Sequence, residues 1–236
     1  MMRKLHMIFI ILLLSLFLIG TAWAFRPGPI IVRECPTCNK QLAQETTMSG
    51  NTFNARSWTD GKMEAKMLPD RPWLVKCPQC GAIFWIDEAK KVREDRSPEI
   101  ENRLLMGSLS PSLPSENEYL TLLSDGKLTK KKELYCRQRA WWAANDSIRK
   151  TQETEFRFSA VQENNLETLS QLMNEKDAGQ RLIKAEILRE LGKFKDCINL
   201  LKQPFDDEWH TKISAVIRGL AEAEVRIVTE IKQGKK

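Results

Sequence analysis

Cysteine offers this chain its clearest chemistry: of six cysteines in 236 residues, four fall into two matched pairs. Cys35-Pro36-Thr37-Cys38 and Cys77-Pro78-Gln79-Cys80-Gly81 share one layout, with residues 39–76 between them. A C-x-x-C turn lets two thiolates converge on one ion while the turn's amides point at the sulfurs, and two such turns complete a tetrahedral shell. A four-sulfur shell keeps no corner open for water. Cys35, Cys38, Cys77 and Cys80 are therefore expected to hold a structural metal ion, Zn2+. Two other chemistries fit the same pairs: disulfides, if the compartment is oxidising, and thiol–disulfide exchange by one dithiol. The surroundings favour exchange least. Proline follows the first cysteine of each pair rather than preceding the second, and no amphipathic helix follows at once.

Other catalytic chemistry finds little support. Only His6 and His210 exist, and His210 would need Cys136, Cys197 or a serine to meet it in space. There is no glycine-rich phosphate loop and no His-Glu metalloprotease motif, and the carboxylates follow no pattern. No catalytic residue is assigned. Cys136 and Cys197 are expected as small packing residues rather than as one disulfide.

The N-terminus reads as an address. Arg3 and Lys4 precede an apolar run from Met7 to Ile19, which ends in Gly20-Thr21-Ala22-Trp23-Ala24. This is the order of a secretory signal peptide cleaved after Ala24, with an uncleaved membrane anchor as the alternative. Either places the remainder outside the cytoplasm, periplasmic or extracellular. The formal net charge is +6, from 37 Lys and Arg against 31 Asp and Glu, and the two signs are mixed along the chain. That distribution argues against a nucleic-acid partner, which usually meets clustered bases. Lys130-Lys131-Lys132 is the one basic run, expected as a solvated helix start.

Residues 25–95 are rich in Pro, Gly, Thr, Trp and Cys, with strand-length runs at Trp73-Leu74-Val75 and Ile83-Phe84-Trp85-Ile86. Phe53 to Gly61, near the turn formers Asn51 and Asp60, suits an inserted hairpin. Trp58, Trp73, Trp85, Phe53 and Phe84 are expected to pack on the metal core, although a sugar-stacking platform uses the same residues. Residues 96–114 read as a linker around a short helix, Pro98 to Met106. From 115 to 236 helical periodicity dominates. Helices are expected over Ser115–Ser124, opened by the capping box Ser115-x-x-Glu118, and over Thr129–Ala144, Asn165–Met173, Ala178–Leu191 and Phe194–Leu201. The stripe Trp209, Ile213, Val216, Ile217, Leu220, Ile227, Val228 and Ile231 predicts one long helix from about Asp206 to Lys232. Trp141 and Trp142 are roughly 100° apart on their helix, one expected in each of two internal helix contacts. Docking of one onto the linker or the metal module is the alternative.

Two resemblances follow from these residues. The CPTC and CPQCG pairs resemble the knuckles of zinc-ribbon or rubredoxin-like modules, and residues 33–88 are similar to uncharacterised bacterial proteins of the same layout. This implies a structural zinc on Cys35, Cys38, Cys77 and Cys80, with Asn39 where many knuckles have glycine. The stretch from Lys184 to Cys197 resembles the centre of a tetratricopeptide repeat, with Ala185, Gly192, Phe194 and Cys197 in the matching roles and Pro204 as a departure. The expected fold is α+β: a small β-rich zinc-ribbon-like module (25–95) followed by an all-α, tetratricopeptide-like helical-hairpin domain (115–236). The expected function is an exported, non-enzymatic scaffold that binds a protein or peptide partner. A thiol–disulfide oxidoreductase is the alternative.

Overall fold

The computed structural model describes residues 25–151 and 157–232; the expected signal segment, residues 1–24, lies outside them. The chain runs through short strands and then helices, an α+β arrangement. The strands are β1 (Arg26–Pro27), β2 (Ile30–Glu34), β3 (Gln41–Gln44), β4 (Thr47–Ser49), β5 (Arg56–Trp58), β6 (Met63–Glu64), β7 (Leu74–Lys76), β8 (Ile83–Trp85) and β9 (Lys91–Asp95). The helices are α1 (Pro98–Leu105), α2 (Glu116–Ser124), α3 (Lys130–Thr151), α4 (Ala160–Leu172), α5 (Ala178–Glu190), α6 (Phe194–Leu200) and α7 (Glu208–Glu222), after which comes β10 (Glu230–Ile231).

Two antiparallel hairpins carry the cysteine pairs at their tips. β2 pairs with β3, Glu34 facing Gln41, and β7 pairs with β8, Lys76 facing Ile83. Ile30 and Val32 of β2, with Ala43 opposite Val32, face one side and pack with Ile100 and Leu109, while Leu42 faces the other side and joins Cys35 and Cys77. β9 extends the first hairpin beyond β2. The segment between the hairpins contains β4, which pairs with β1, and the expected inserted hairpin, β5 with β6. Its turn needs the left-handed conformation that Gly61 takes at φ 80°.

The helices start where local chemistry says they should. Ser97 caps α1, Ser115 and Glu118 close a full capping box on α2, and Ser159 with Gln162 does the same for α4. Two helical expectations are corrected. α3 continues through Asn145 and Asp146 to Thr151, because Asn145 is fully buried and its amide is satisfied by carboxylates from elsewhere. The long final helix stops at Glu222: Glu224 turns left-handed at φ 55°, and the Val225 N–H reaches back to the Leu220 carbonyl at 2.9 Å, a Schellman-type end without glycine. The chain then returns to the β-rich half, where β10 pairs with β5. The apolar stripe thus divides: Ile213 and Ile217 pack against α5 and α6, while Val228 joins Trp58 and Ile148.

A buried polar network ties this return to the helices. The Asp60 carboxylate pairs with Arg149, both side chains almost fully enclosed, and accepts from Asn145 Nδ2 at 3.0 Å. The same Nδ2 donates to Glu190, 3.2 Å from Oε2. Trp141 Nε1 also donates to Glu190, at 2.7 Å. Trp142 Nε1 donates instead to the Asp60 carbonyl at 3.0 Å, so the second tryptophan docks on the β-rich half and not only on helices. Arg189, beside Glu186, holds the carbonyls of Val225 and Ile227.

Burial pushes the Glu190 carboxyl well above the usual carboxylate range, Glu186 adds to the push, and Arg189 opposes it. Burial likewise raises Asp60 against Arg149 and Asn145. Between the ordinary carboxylate value of about 4 and its raised one, folded Glu190 keeps a proton that the unfolded chain has lost. Its contribution to stability therefore falls as pH rises through that window, by up to about tenfold in the folding constant per pH unit. Glu190→Gln keeps an acceptor for Trp141 and has no charge to bury. Urea unfolding between roughly pH 6 and 9 is expected to find this variant more stable than the parent and flatter in its pH profile. A variant less stable than the parent at the alkaline end would show that the carboxylate is net favourable where it sits.

Candidate metal centre

Each cysteine pair folds into the same turn. The Cys35 N–H donates to the Lys40 carbonyl at 2.9 Å and the Cys77 N–H to the Ala82 carbonyl at 2.8 Å. The carbonyl of each of these cysteines accepts four residues on, from Asn39 and from Gly81, at 3.0 Å in both cases. Those two acceptor partners are left-handed, φ 58° at Asn39 and 73° at Gly81. Asparagine therefore occupies the position that glycine holds in the second turn, as the sequence suggested, and tolerates it at some cost. Proline directly after the first cysteine presets the turn without needing an N–H.

The two tips face each other. All four sulfurs of Cys35, Cys38, Cys77 and Cys80 lie within 4.8 Å of one another, with Cys35 to Cys80 and Cys38 to Cys77 each 3.8 Å apart. Cys35 and Cys77 are buried, Cys38 is half-buried and Cys80 is exposed. Leu42, Val75, Phe84, Ile86 and Ala89 pack around the buried pair. Four cysteines are thus positioned to hold a metal ion, and every corner of the site is a sulfur.

Electrostatics describe the same crowding. Burial raises the Cys35 thiol, but the amides of Cys38 and Thr37 outweigh it and bring the thiol down to about 7. At Cys80 the Ala82 amide favours the thiolate, yet desolvation and the three neighbouring sulfurs push the thiol up to about 12. The first thiolate forms readily and the last only against accumulated negative charge, which a cation would relieve.

Lys76 Nζ, next to Cys77, pairs with Glu118 of α2 at 2.6 Å, and the Trp73 N–H donates to the Tyr135 hydroxyl at 2.9 Å. These contacts fasten the second hairpin to the helices. Trp73 stacks on Tyr135, centroids 4.9 Å apart. Lys131 sits over Trp73 and Lys132 over Trp85. The basic run is therefore a clamp on the hairpin rather than a purely solvated helix start.

No family model, curated protein or solved structure matches this chain. Its site is read from geometry alone.

The remaining candidates separate. Cys136 and Cys197 are free buried thiols in different clusters, held protonated by burial, which pushes them up to about 11 and about 12. His210 Nδ1 lies 2.5 Å from Asp207 Oδ2, with its ring against Phe205. Of the aromatics expected on the metal core, only Phe84 is there. Trp58 is buried with Ile148 and Val228 and Trp85 packs towards α2 and α3, where the helices offer apolar area that one small knuckle pair lacks, while Trp73 and Phe53 are exposed. Asp60 and Glu190 carried no local signal, since they meet only in three dimensions.

The matched turns set up an internal comparison. Gly81→Ala puts a β-carbon on a left-handed residue and is expected to cost about 1 kcal/mol, whereas Asn39→Gly removes such strain and should be neutral or slightly stabilising. Chelator competition on the metal-loaded chain would rank retention as Asn39→Gly, then parent, then Gly81→Ala. The reverse order would mean that the two turns do not share their strain.

Proposed function

We propose that the protein is an exported, non-enzymatic scaffold in which a structural zinc orders the β-rich half and a helical array presents a surface for a protein or peptide partner. The carrying observation is the closed four-sulfur cluster. A tetrahedron with zinc–sulfur bonds of about 2.3 Å has edges of about 3.8 Å, and the sulfurs of Cys35 and Cys80, and of Cys38 and Cys77, are 3.8 Å apart. A disulfide brings two sulfurs to about 2.05 Å, and none of the six cysteines is so paired. With thiolates at all four corners, the ion has no position for substrate, which supports a structural role.

The exchange alternative fits less well. An attacking cysteine must be both a thiolate and accessible. Here the easily ionised Cys35 is buried, and the exposed Cys80 holds its proton up to about 12.

A tetratricopeptide-like reading of the helices is supported around α5 and α6. Gly192 turns the chain at φ 77°, Phe194 opens α6, and Ala185 and Cys197 lie in one buried cluster with Ile213 and Ile217 of α7. Export rests on the signal-like segment ending at Ala24, and the mixed charge of the chain argues for a protein partner over nucleic acid.

Metal analysis of the purified protein tests the carrying observation. About one zinc per chain is expected, lost on Cys77→Ser together with several kcal/mol of stability in the β-rich half. The metal-loaded protein is expected to be inert towards insulin disulfides. A metal-free preparation with both pairs oxidised, or brisk insulin reduction, would overturn the assignment.

A further inference from the structure

A cleft of about 1120 Å³ has none of the four clustered cysteines in its lining. β4 and β6 form its walls, and Arg139 and Trp142 of α3 line it from the helical side. Both walls are sheet edges: among the described residues β4 pairs with β1 alone, and β6 with β5 alone. Gly50 lets the end of β4 pass tightly over the following turn, since a side chain there would collide with the Met67 carbonyl. Asp70 is bound to Arg139 through two contacts of 2.5 and 2.9 Å, and Arg139 is held between the rings of Tyr135 and Trp142. The cleft is therefore braced by helix α3.

Its lining has two further properties. Met48, Met63, Leu68 and Leu113 are large apolar side chains left exposed there, and methionine suits surfaces that adapt to a ligand. Charge is unbalanced, with five basic side chains against two acidic ones. Arg56, Lys62 and Arg139 are paired with carboxylates. Lys66 and Arg71 have no carboxylate partner among the described residues; Arg71 spends one N–H on the Thr47 carbonyl of β4.

We infer that this cleft binds an extended segment of a partner protein, acidic and apolar in alternation, which adds as a strand to the free edge of β6 or β4. The strand edges supply backbone hydrogen bonds, and the period-2 alternation of a strand matches apolar groups to the methionine side and carboxylates to Lys66 and Arg71. An unblocked edge is otherwise a liability that folds cover or charge. The inference rests on the scaffold reading and adds to it a binding surface on the excursion between the two cysteine pairs, braced by Arg139 and Trp142 of α3.

Fluorescence anisotropy with the full, metal-loaded chain tests it. The probes are a ten-residue peptide alternating glutamate and leucine, its lysine–leucine counterpart, and the acidic peptide N-methylated on alternate backbone nitrogens. The acidic probe is expected to bind, the other two at least tenfold more weakly. Lys66→Glu with Arg71→Glu should weaken the acidic probe at least tenfold and admit the lysine probe, and Lys66→Glu alone, which breaks no hydrogen bond of the fold, should do the same to a smaller degree. No binding, equal binding of the two charge forms, or indifference to N-methylation overturns the inference. A dimer by sedimentation that dissociates on the same charge reversal also overturns it, since a second copy is then the occupant. Crosslinking in envelope extracts separates the two levels: a partner captured equally by parent and double variant leaves the scaffold reading intact and removes only the cleft.

Discussion

Four thiol sulfurs within 4.8 Å of one another form an arrangement that negative charge would drive apart and that a single cation can hold together. The rest of the β-rich half depends on this balance. Its strands are two to five residues long, in separate small sheets, and short isolated hairpins are marginal in water. The apolar cluster around Cys35 and Cys77 is modest, with Phe84, Leu42 and Ile86 its largest members. A cross-link joining the tips of the two hairpins fixes both ends of the excursion 39–76 at once. That removes loop-closure entropy from a stretch too poor in core to supply it by burial.

The helices provide the second support. Lys76, Trp73 and Trp85 engage Glu118, Tyr135 and Lys132, and β10 completes a sheet with β5 and β6 after the last helix. The polar joint of Asp60, Arg149, Asn145 and Glu190 is costly to bury, and its value lies in geometry: Asn145 and Arg149 of α3 reach Asp60 of the inserted hairpin, and Asn145 also reaches Glu190 of α5. Apolar residues would stick in many registers, whereas this set fits one. The joint thus fixes where the inserted hairpin sits against α3 and α5, and it binds that hairpin to the return of the C-terminal segment.

What was legible in the sequence was local. The cysteine pairs, the left-handed position at Asn39, the cap at Ser115 and the turn at Gly192 each concern residues within a few positions of one another, where spacing decides geometry. What was not legible required partners far along the chain. Ile227, Val228 and Ile231 continue the helical step of α7, and nothing nearby distinguishes that pattern from a strand needed by β5, a partner some 170 residues earlier. Asn145 reads as a helix stop until Asp60 and Glu190 surround it. Three lysines read as solvated until two tryptophans are placed beneath two of them. Tertiary contacts overrode propensity at each of these places, and the same reason hid the cleft, whose walls are strands too short to show a period.

The two supports converge on the cleft. β4 and β6 both lie in the excursion whose ends the sulfur cluster pins, while Asp70 and Asp60 attach its turns to α3 through Arg139 and Arg149. With an ion bound, the excursion would be held at its ends by one device and along its length by another, leaving the outer edges of β4 and β6 without a strand partner among the described residues. Loss of the ion would free the ends but leave the two aspartate anchors. The walls would then loosen without detaching, and a strand adding to either edge would meet the ordering entropy that a bound ion would settle in advance. On this physics, occupancy of the sulfur cluster and affinity at the cleft are linked, although no side chain is common to both.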